Sequence, residues 1–192
     1  MKSKTITNIY LLMAAAFLTM ALALPAAAQG LKMTLSGTSA ASTSNLQQPN
    51  TRTGEDNFAG KGSLGSFTYR FVHSMANAPT PSSVCTGPHD VHFSDPAGGG
   101  VFRFQDGSLL YVQLTQGDDC IDFVVGAAHC IRILKITGGT GRFQNASGTL
   151  SLTETSIVPV LFDAFGNPVL FAAIGDITGT ISGVGGDQDQ DE

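Results

Sequence analysis

Four metal-capable residues, Cys85, His89, Asp90 and His92, fall within eight positions of one another. Two histidines three residues apart can hold zinc from one face of a helix, but Pro79, Pro81 and Pro88 make this region irregular. Spacing without a helix does not bring nitrogens together, so no metal site is expected here, and no cofactor. A second group, Tyr69, His73, Arg103, Tyr111 and Glu154, falls on stretches with strand character. Pointed into an apolar cavity, a few such side chains would orient a ligand, and a desolvated glutamate would exchange protons. Tyr69, Arg103 and Glu154 are the candidates for acid–base work. The ordinary alternative is that each faces water from an antiparallel sheet. Strand parity does not decide between the two, because both faces carry apolar residues.

The glycine cluster Thr137-Gly138-Gly139-Thr140-Gly141 looks like the opening of a dinucleotide-binding loop. Such a loop needs a helix after it, whose amides and dipole hold the pyrophosphate. Here the third glycine position is Gln144, and residues 149–154 alternate with a period of two. Gly138, Gly139 and Gly141 therefore read as a turn between strands. Asn145-Ala146-Ser147 matches a glycosylation acceptor, for which chance is the default explanation at this length.

These residues are positioned by an exported all-β domain. Residues 1–28 carry Lys2 and Lys4, an apolar stretch too short to span a bilayer, and a small-residue ending at Ala28, which marks a secretory signal peptide cleaved before Gln29. Its loss removes two lysines and no acids, so the net charge falls from −5 to −7. Four of the remaining acids lie in the last six residues, and 185–192 reads as a solvated, disordered acidic tail. The domain itself is only mildly acidic and lacks the basic stripe that a nucleic acid requires. After signal cleavage no membrane association is expected, and the location is periplasmic or secreted.

What remains is one domain with 23 glycines in the chain, no tryptophan and little charge, as suits short strands joined by tight turns. Leu31, Met33 and Leu35 alternate in a first strand, and 36–60 reads as a long flexible loop, so that 29–60 precedes a barrel domain at 61–184. Residues 64–73 form a strand with Phe67, Tyr69, Phe71 and His73 on one face. Asp106-Gly107 reads as a two-residue primed turn pairing Phe104 with Leu109 and Phe102 with Tyr111. Further strands fall at 121–125, 128–137, 149–155, 157–162, 169–174 and 176–182. Eight to ten short antiparallel strands are best closed into a barrel, which removes exposed edges; a sandwich is the structural rival.

Three cysteines in an exported chain suggest one disulfide and one leftover thiol. Cys120 and Cys130 are equidistant from Val125, and a hairpin centred there would set them opposite each other, so Cys120–Cys130 is the expected bridge. The run from 158 to 171 is apolar on both faces apart from Asp163, which points to a second buried contact, either another segment or another subunit of a homo-oligomer.

Ile136-Thr-Gly-Gly-Thr-Gly-Arg-Phe143, with Asn145-Ala-Ser-Gly-Thr149, Phe104-Gln-Asp-Gly-Ser-Leu109 and Gly175-Asp-Ile-Thr-Gly-Thr180, resembles the signature of the allene oxide cyclase and dirigent-like barrels. The likeness covers about half of the chain left after signal cleavage. It implies an antiparallel eight-stranded, calycin-like β-barrel with an apolar cavity, often trimeric in the plant members, which cyclise an epoxide or steer radical coupling. The matching motif is scaffold, and no catalytic residue carries over. Three readings follow: a non-catalytic exported barrel binding a small apolar ligand, an isomerase or cyclase of an apolar substrate, and a cell-surface module whose 158–171 hairpin docks a partner.

Overall fold

The computed structural model describes residues 28–185; the expected signal peptide (all but Ala28) and the expected acidic tail beyond Gly185 lie outside them. Nine strands form: β1 Gln29–Ala41, β2 Thr51–Gly62, β3 Gly65–Ala76, β4 Asp90–Ser94, β5 Ala97–Phe104, β6 Leu109–Asp122, β7 Ala127–Gly139, β8 Ser147–Phe162 and β9 Pro168–Ser182. All pairings are antiparallel, and β6 joins β7 to close the sheet. β4 and β5 follow one register along β6, Phe93↔Asp119 and Phe102↔Leu110, interrupted at Asp95-Pro96. They act as one broken wall strand, so the fold is a closed eight-stranded barrel.

Polar and glycine-rich composition at 36–60 suggested a loop, yet these residues are the second half of β1, a turn, and most of β2. Ser36, Thr38, Thr53 and Asn57 take outward positions, while Phe58 and Asp56 face in. The barrel therefore begins at Gln29, not near residue 61. The four short strands expected over 149–182 merge into two long ones, β8 and β9, with register slips at Glu154/Val158.

The turn at Gln105–Gly107 also differs from expectation. Phe104 N donates to Ser108 O, Gly107 N donates to Phe104 O, and Gly107 has φ +84°. That is a three-residue loop with its left-handed residue at the glycine. The register consequently moves by one: Arg103 pairs with Leu109 and Phe102 with Leu110.

One end of the barrel is stoppered by Phe143, fully buried in the 3-10 turn Gly141–Phe143 that follows the glycine cluster. Gly141 sits at φ +57°, and a Cβ on Gly139 would collide with the Leu109 carbonyl. The middle of the barrel is aromatic. Tyr69 stacks on Phe102 at 4.1 Å between centroids, flanked by Phe71 and Phe58. Side chains of this size fill the axis.

The expected Cys120–Cys130 bridge does not form. The β6–β7 register opposes Cys120 to His129 and Cys130 to Asp119, so the hairpin centre falls half a residue before Val125. That shift turns the two cysteines to opposite faces of the sheet. Cys130 is buried and free in the core, whereas Cys120 meets Cys85 on the outer face, with Cα atoms 5.4 Å apart. The bridge pins 77–89 against β6, and its 35-residue separation makes it worth about 3–4 kcal/mol by loop closure. Peptide mapping under non-reducing conditions is expected to link Cys85 to Cys120, with Cys130 alkylated only after unfolding. Cys85→Ser should lower stability by about that amount, and a linked Cys120–Cys130 peptide would contradict the register.

Candidate functional site

A layer of charge lies above the aromatic layer, inside the wall. At its centre is Arg132, 2% exposed, carried on β7 in phase with Leu134 and Ile136. Its Nε donates to Asp95 Oδ2 at 3.1 Å, Nη2 to Asp119 Oδ1 at 3.3 Å, and Nη1 to Glu154 Oε1. Asp56 Oδ2 is 3.6 Å from Nη1, and His73 Nε2 is 3.5 Å from Nη2. The guanidinium rests 5.7 Å from the centroid of Phe71, which separates it from the aromatics below. Five strands and the β4–β5 break each contribute one of these groups.

Local backbone features aim them. In β6, Leu110, Val112 and Leu114 face inward, but a register shift between Leu114 and Gln116 reverses the phase, so Asp119 faces inward and Asp118 outward. A bulge re-aims side chains in this way. Asp118 then accepts from His92 Nε2 at 2.8 Å on the outer face. Glycine makes room: a Cβ on Gly117 would fall 2.5 Å from that of Asp95, and one on Gly54 2.6 Å from His73 Nε2.

Four carboxylates thus face one guanidinium and one imidazole. Burial raises the Glu154 carboxyl to about 8, with Asp56 and Asp119 adding to it against the pull of Arg132. Burial likewise raises Asp119 in spite of Arg132. Asp95 is also pushed up by burial, but its contacts with His73 and Arg132 outweigh that and hold it below the usual carboxylate range. For His73, burial and Arg132 both oppose protonation; Asp56 and Asp95 prevail and lift its pKa above the ordinary histidine value. Burial, followed by the charge of Asp56, raises the Tyr69 phenol. Several of these atoms lack hydrogen-bond partners: both oxygens of Asp56, Asp95 Oδ1, Tyr69 Oη and His73 Nδ1. The last lies 3.1 Å from Asp95 Oδ2 but off the line of an N–H bond.

Of the residues singled out in the sequence, Tyr69, His73 and Glu154 face the interior, while Arg103 and Tyr111 face outward. Arg103 borders an outer-wall depression together with Arg70 and Asn57. Cys85, His89, Asp90 and His92 do not converge on one point: Cys85 is in the disulfide, Asp90 accepts from Gly87 N, and His92 is held by Thr80 and Asp118. Asp56, Asp95, Asp119 and Arg132 were not among the candidates.

A second feature lies at the barrel end opposite Phe143. The β7–β8 register stops at Ala128↔Ile157, and the tips of two neighbouring hairpins rise past it. They expose Phe123, Val124 and Val125 from one, and Val160, Leu161, Phe162 and Phe165 from the other, with Phe165 90% exposed. Each tip is pinned by an aspartate. Asp122 Oδ1 accepts from Val124 N and Val125 N; Asp163 Oδ1 accepts from Phe165 N at 2.8 Å and Asn167 N at 2.9 Å.

No family model matches the chain, and no curated protein does. Among solved structures it is similar to the pterocarpan synthase dirigent protein GePTS1, with 11% identity over 88% of this chain and 91% of that one and a TM-score of 0.40. The barrel assignment rests on the strand pairings described above.

The ionic layer makes stability depend on pH. Glu154 and Asp119 bind protons more tightly folded than unfolded, so their contribution is present at low pH and is lost as pH rises. For Glu154 the window runs from its ordinary value of 4.5 to about 8. His73 acts in the same direction, its contribution being lost as pH rises above the ordinary histidine value, whereas Asp95 contributes above its ordinary range and is lost only in acid. Denaturant melts in buffer freed of divalent cations should therefore show stability falling from pH 5 to pH 8, at about 1 kcal/mol per pH unit for each proton retained. Glu154→Gln should flatten that slope, and an unchanged slope would refute the assignment. Arg132→Met, which strands the carboxylates, should cost about 3–5 kcal/mol at neutral pH.

Proposed function

We propose that the protein is an exported, non-catalytic β-barrel that serves as an interaction module, docking through its apolar rim onto a second copy of the same chain. The observation that carries this reading is the pair of aspartate-pinned tips. A turn held rigid by its own side chain while presenting a 90% exposed phenylalanine has paid its ordering cost before binding. The exposed side chains of 123–125, 158–162 and 165 together offer on the order of 800 Å² of surface, the amount each partner contributes to a standard interface. Asp122 and Asp163 are the only charged residues across 122–126 and 157–168, and both are engaged in their own turns. An anionic membrane surface calls for basic residues around an apolar face, and a partner recognised by charge calls for complementary groups; a like apolar face calls for neither. Export is supported by the signal-like N-terminus and by the Cys85–Cys120 disulfide, a bond that persists in oxidising compartments.

A small apolar ligand inside the barrel would compete for space with Tyr69, Phe71, Phe102 and Arg132, all within 2% of full burial. The isomerase reading draws on Glu154, whose raised pKa suits an acid near neutrality. It needs a substrate to reach a carboxyl that is 1% exposed.

Sedimentation velocity over a concentration series tests the rim. The wild type should associate, and Leu161→Asp with Phe165→Asp should weaken association roughly a hundredfold while leaving the β-sheet circular dichroism intact. A wild type that stays monomeric throughout overturns the reading, and its binding to neutral vesicles or to a small apolar dye would name the other occupant.

A further inference from the structure

We propose that His73, Asp95 and Asp119 bind a divalent transition-metal ion inside the barrel. Each of the three offers one donor atom, all within 4.8 Å of one another, and all three residues are buried. Three buried ligand residues in such proximity do not by themselves make a site; the partners they lack are what points to an ion.

Three of the five N–H groups of Arg132 go to Asp95 Oδ2, Asp119 Oδ1 and Glu154 Oε1, and Nη2 also lies 3.5 Å from His73 Nε2. That leaves Asp95 Oδ1 and His73 Nδ1 without an aligned hydrogen bond, and leaves both oxygens of the fully buried Asp56 without a donor. Asp56 is turned toward the cluster, with Oδ2 3.9 Å from His73 Nε2. Asp56 Oδ2 also lies 3.6 Å from Arg132 Nη1, but an ion pair without an aligned hydrogen bond offsets only part of the desolvation penalty of a buried carboxylate. Without bound protons, the four carboxylates also outnumber the two cations, Arg132 and His73. One divalent cation answers both deficits, supplying charge and occupying lone pairs without needing a hydrogen.

Arg132 and the ion do not exclude each other. A carboxylate has two oxygens and about four acceptor directions, so Asp95 can hold the guanidinium through Oδ2 and offer Oδ1 elsewhere. One imidazole with carboxylates suits zinc, manganese or ferrous iron; calcium and magnesium prefer all-oxygen shells. Because the site is enclosed by the wall, the ion enters as the barrel folds, and its binding energy becomes folding energy.

The test uses the full exported chain, unfolded in denaturant with chelator and refolded with ZnCl2, with CaCl2 or with EDTA. Native mass spectrometry should show one zinc per chain, and Tm should rise by roughly 5 °C or more over the EDTA sample. Asp95→Asn and His73→Gln should each fold and lose both the zinc mass and the Tm shift. A folded wild type with no bound zinc and equal Tm in zinc and EDTA overturns the proposal, and protons then balance the charge. Zinc retained by His73→Gln also overturns it, because the ion would then sit elsewhere, as would a calcium shift equal to that of zinc.

Discussion

A guanidinium that cannot reach water must be met on all sides, and in this barrel that requirement falls on Arg132. Arg132 stands on β7, and β2, β3, β6 and β8 each send one polar side chain to it, with the break between β4 and β5 sending another. Backbone pairing joins each strand only to its neighbours. The ionic layer joins strands across the axis, so a register slip in any one of them would withdraw a partner from a buried charge. Pairs of this kind add little net stability compared with well-packed apolar residues, but breaking one is costly. Their effect is to single out one arrangement of strands among several that would bury the same leucines.

The wall is adapted to that layer. Below Phe71 the interior is filled by aromatic stacking and aliphatic residues, where shape alone must match. Above it the side chains are polar and charged, and glycines such as Gly54 and Gly117 give backbone-level clearance to His73 and Asp95. Pro96, which has no N–H to donate, sits where β4 and β5 separate, and the adjoining Asp95 N bonds to Gly117 O while its side chain turns to Arg132. The interruption in the wall strand is thus what delivers an acid to the interior.

Much of the fold was legible in the alternation of apolar residues, and part of the site was legible too. Arg132 continues the face of Leu134 and Ile136, Glu154 that of Leu150 and Leu152, Asp56 that of Phe58, and His73 that of Phe71. A charged residue in phase with an apolar face is a usable signal, and four strands carry it. It was obscured because 131–136 has isoleucines on the other face and because 36–60 looked too polar for strands. Asp119 was beyond reach: the phase reversal near Thr115 leaves no mark in residue type. The same half-residue sensitivity misplaced the disulfide, since a hairpin centre moved from Val125 toward Val124 puts Cys120 and Cys130 on opposite faces.

The interior layer and the apolar rim meet on β8. Glu154 is the last residue of that strand held in continuous register with β9, and the slip between Glu154 and Val158 is where the hairpin begins to leave the wall. Ile157, buried within the slip, closes the barrel mouth next to the point of departure. Holding Glu154 against Arg132 therefore fixes the base from which residues 158–168 project, while Asp163 fixes their tip. With both ends constrained, the hairpin presents its apolar side chains as one preformed surface. The charge that is hidden and the apolar surface that is displayed are two consequences of how a single long strand is anchored.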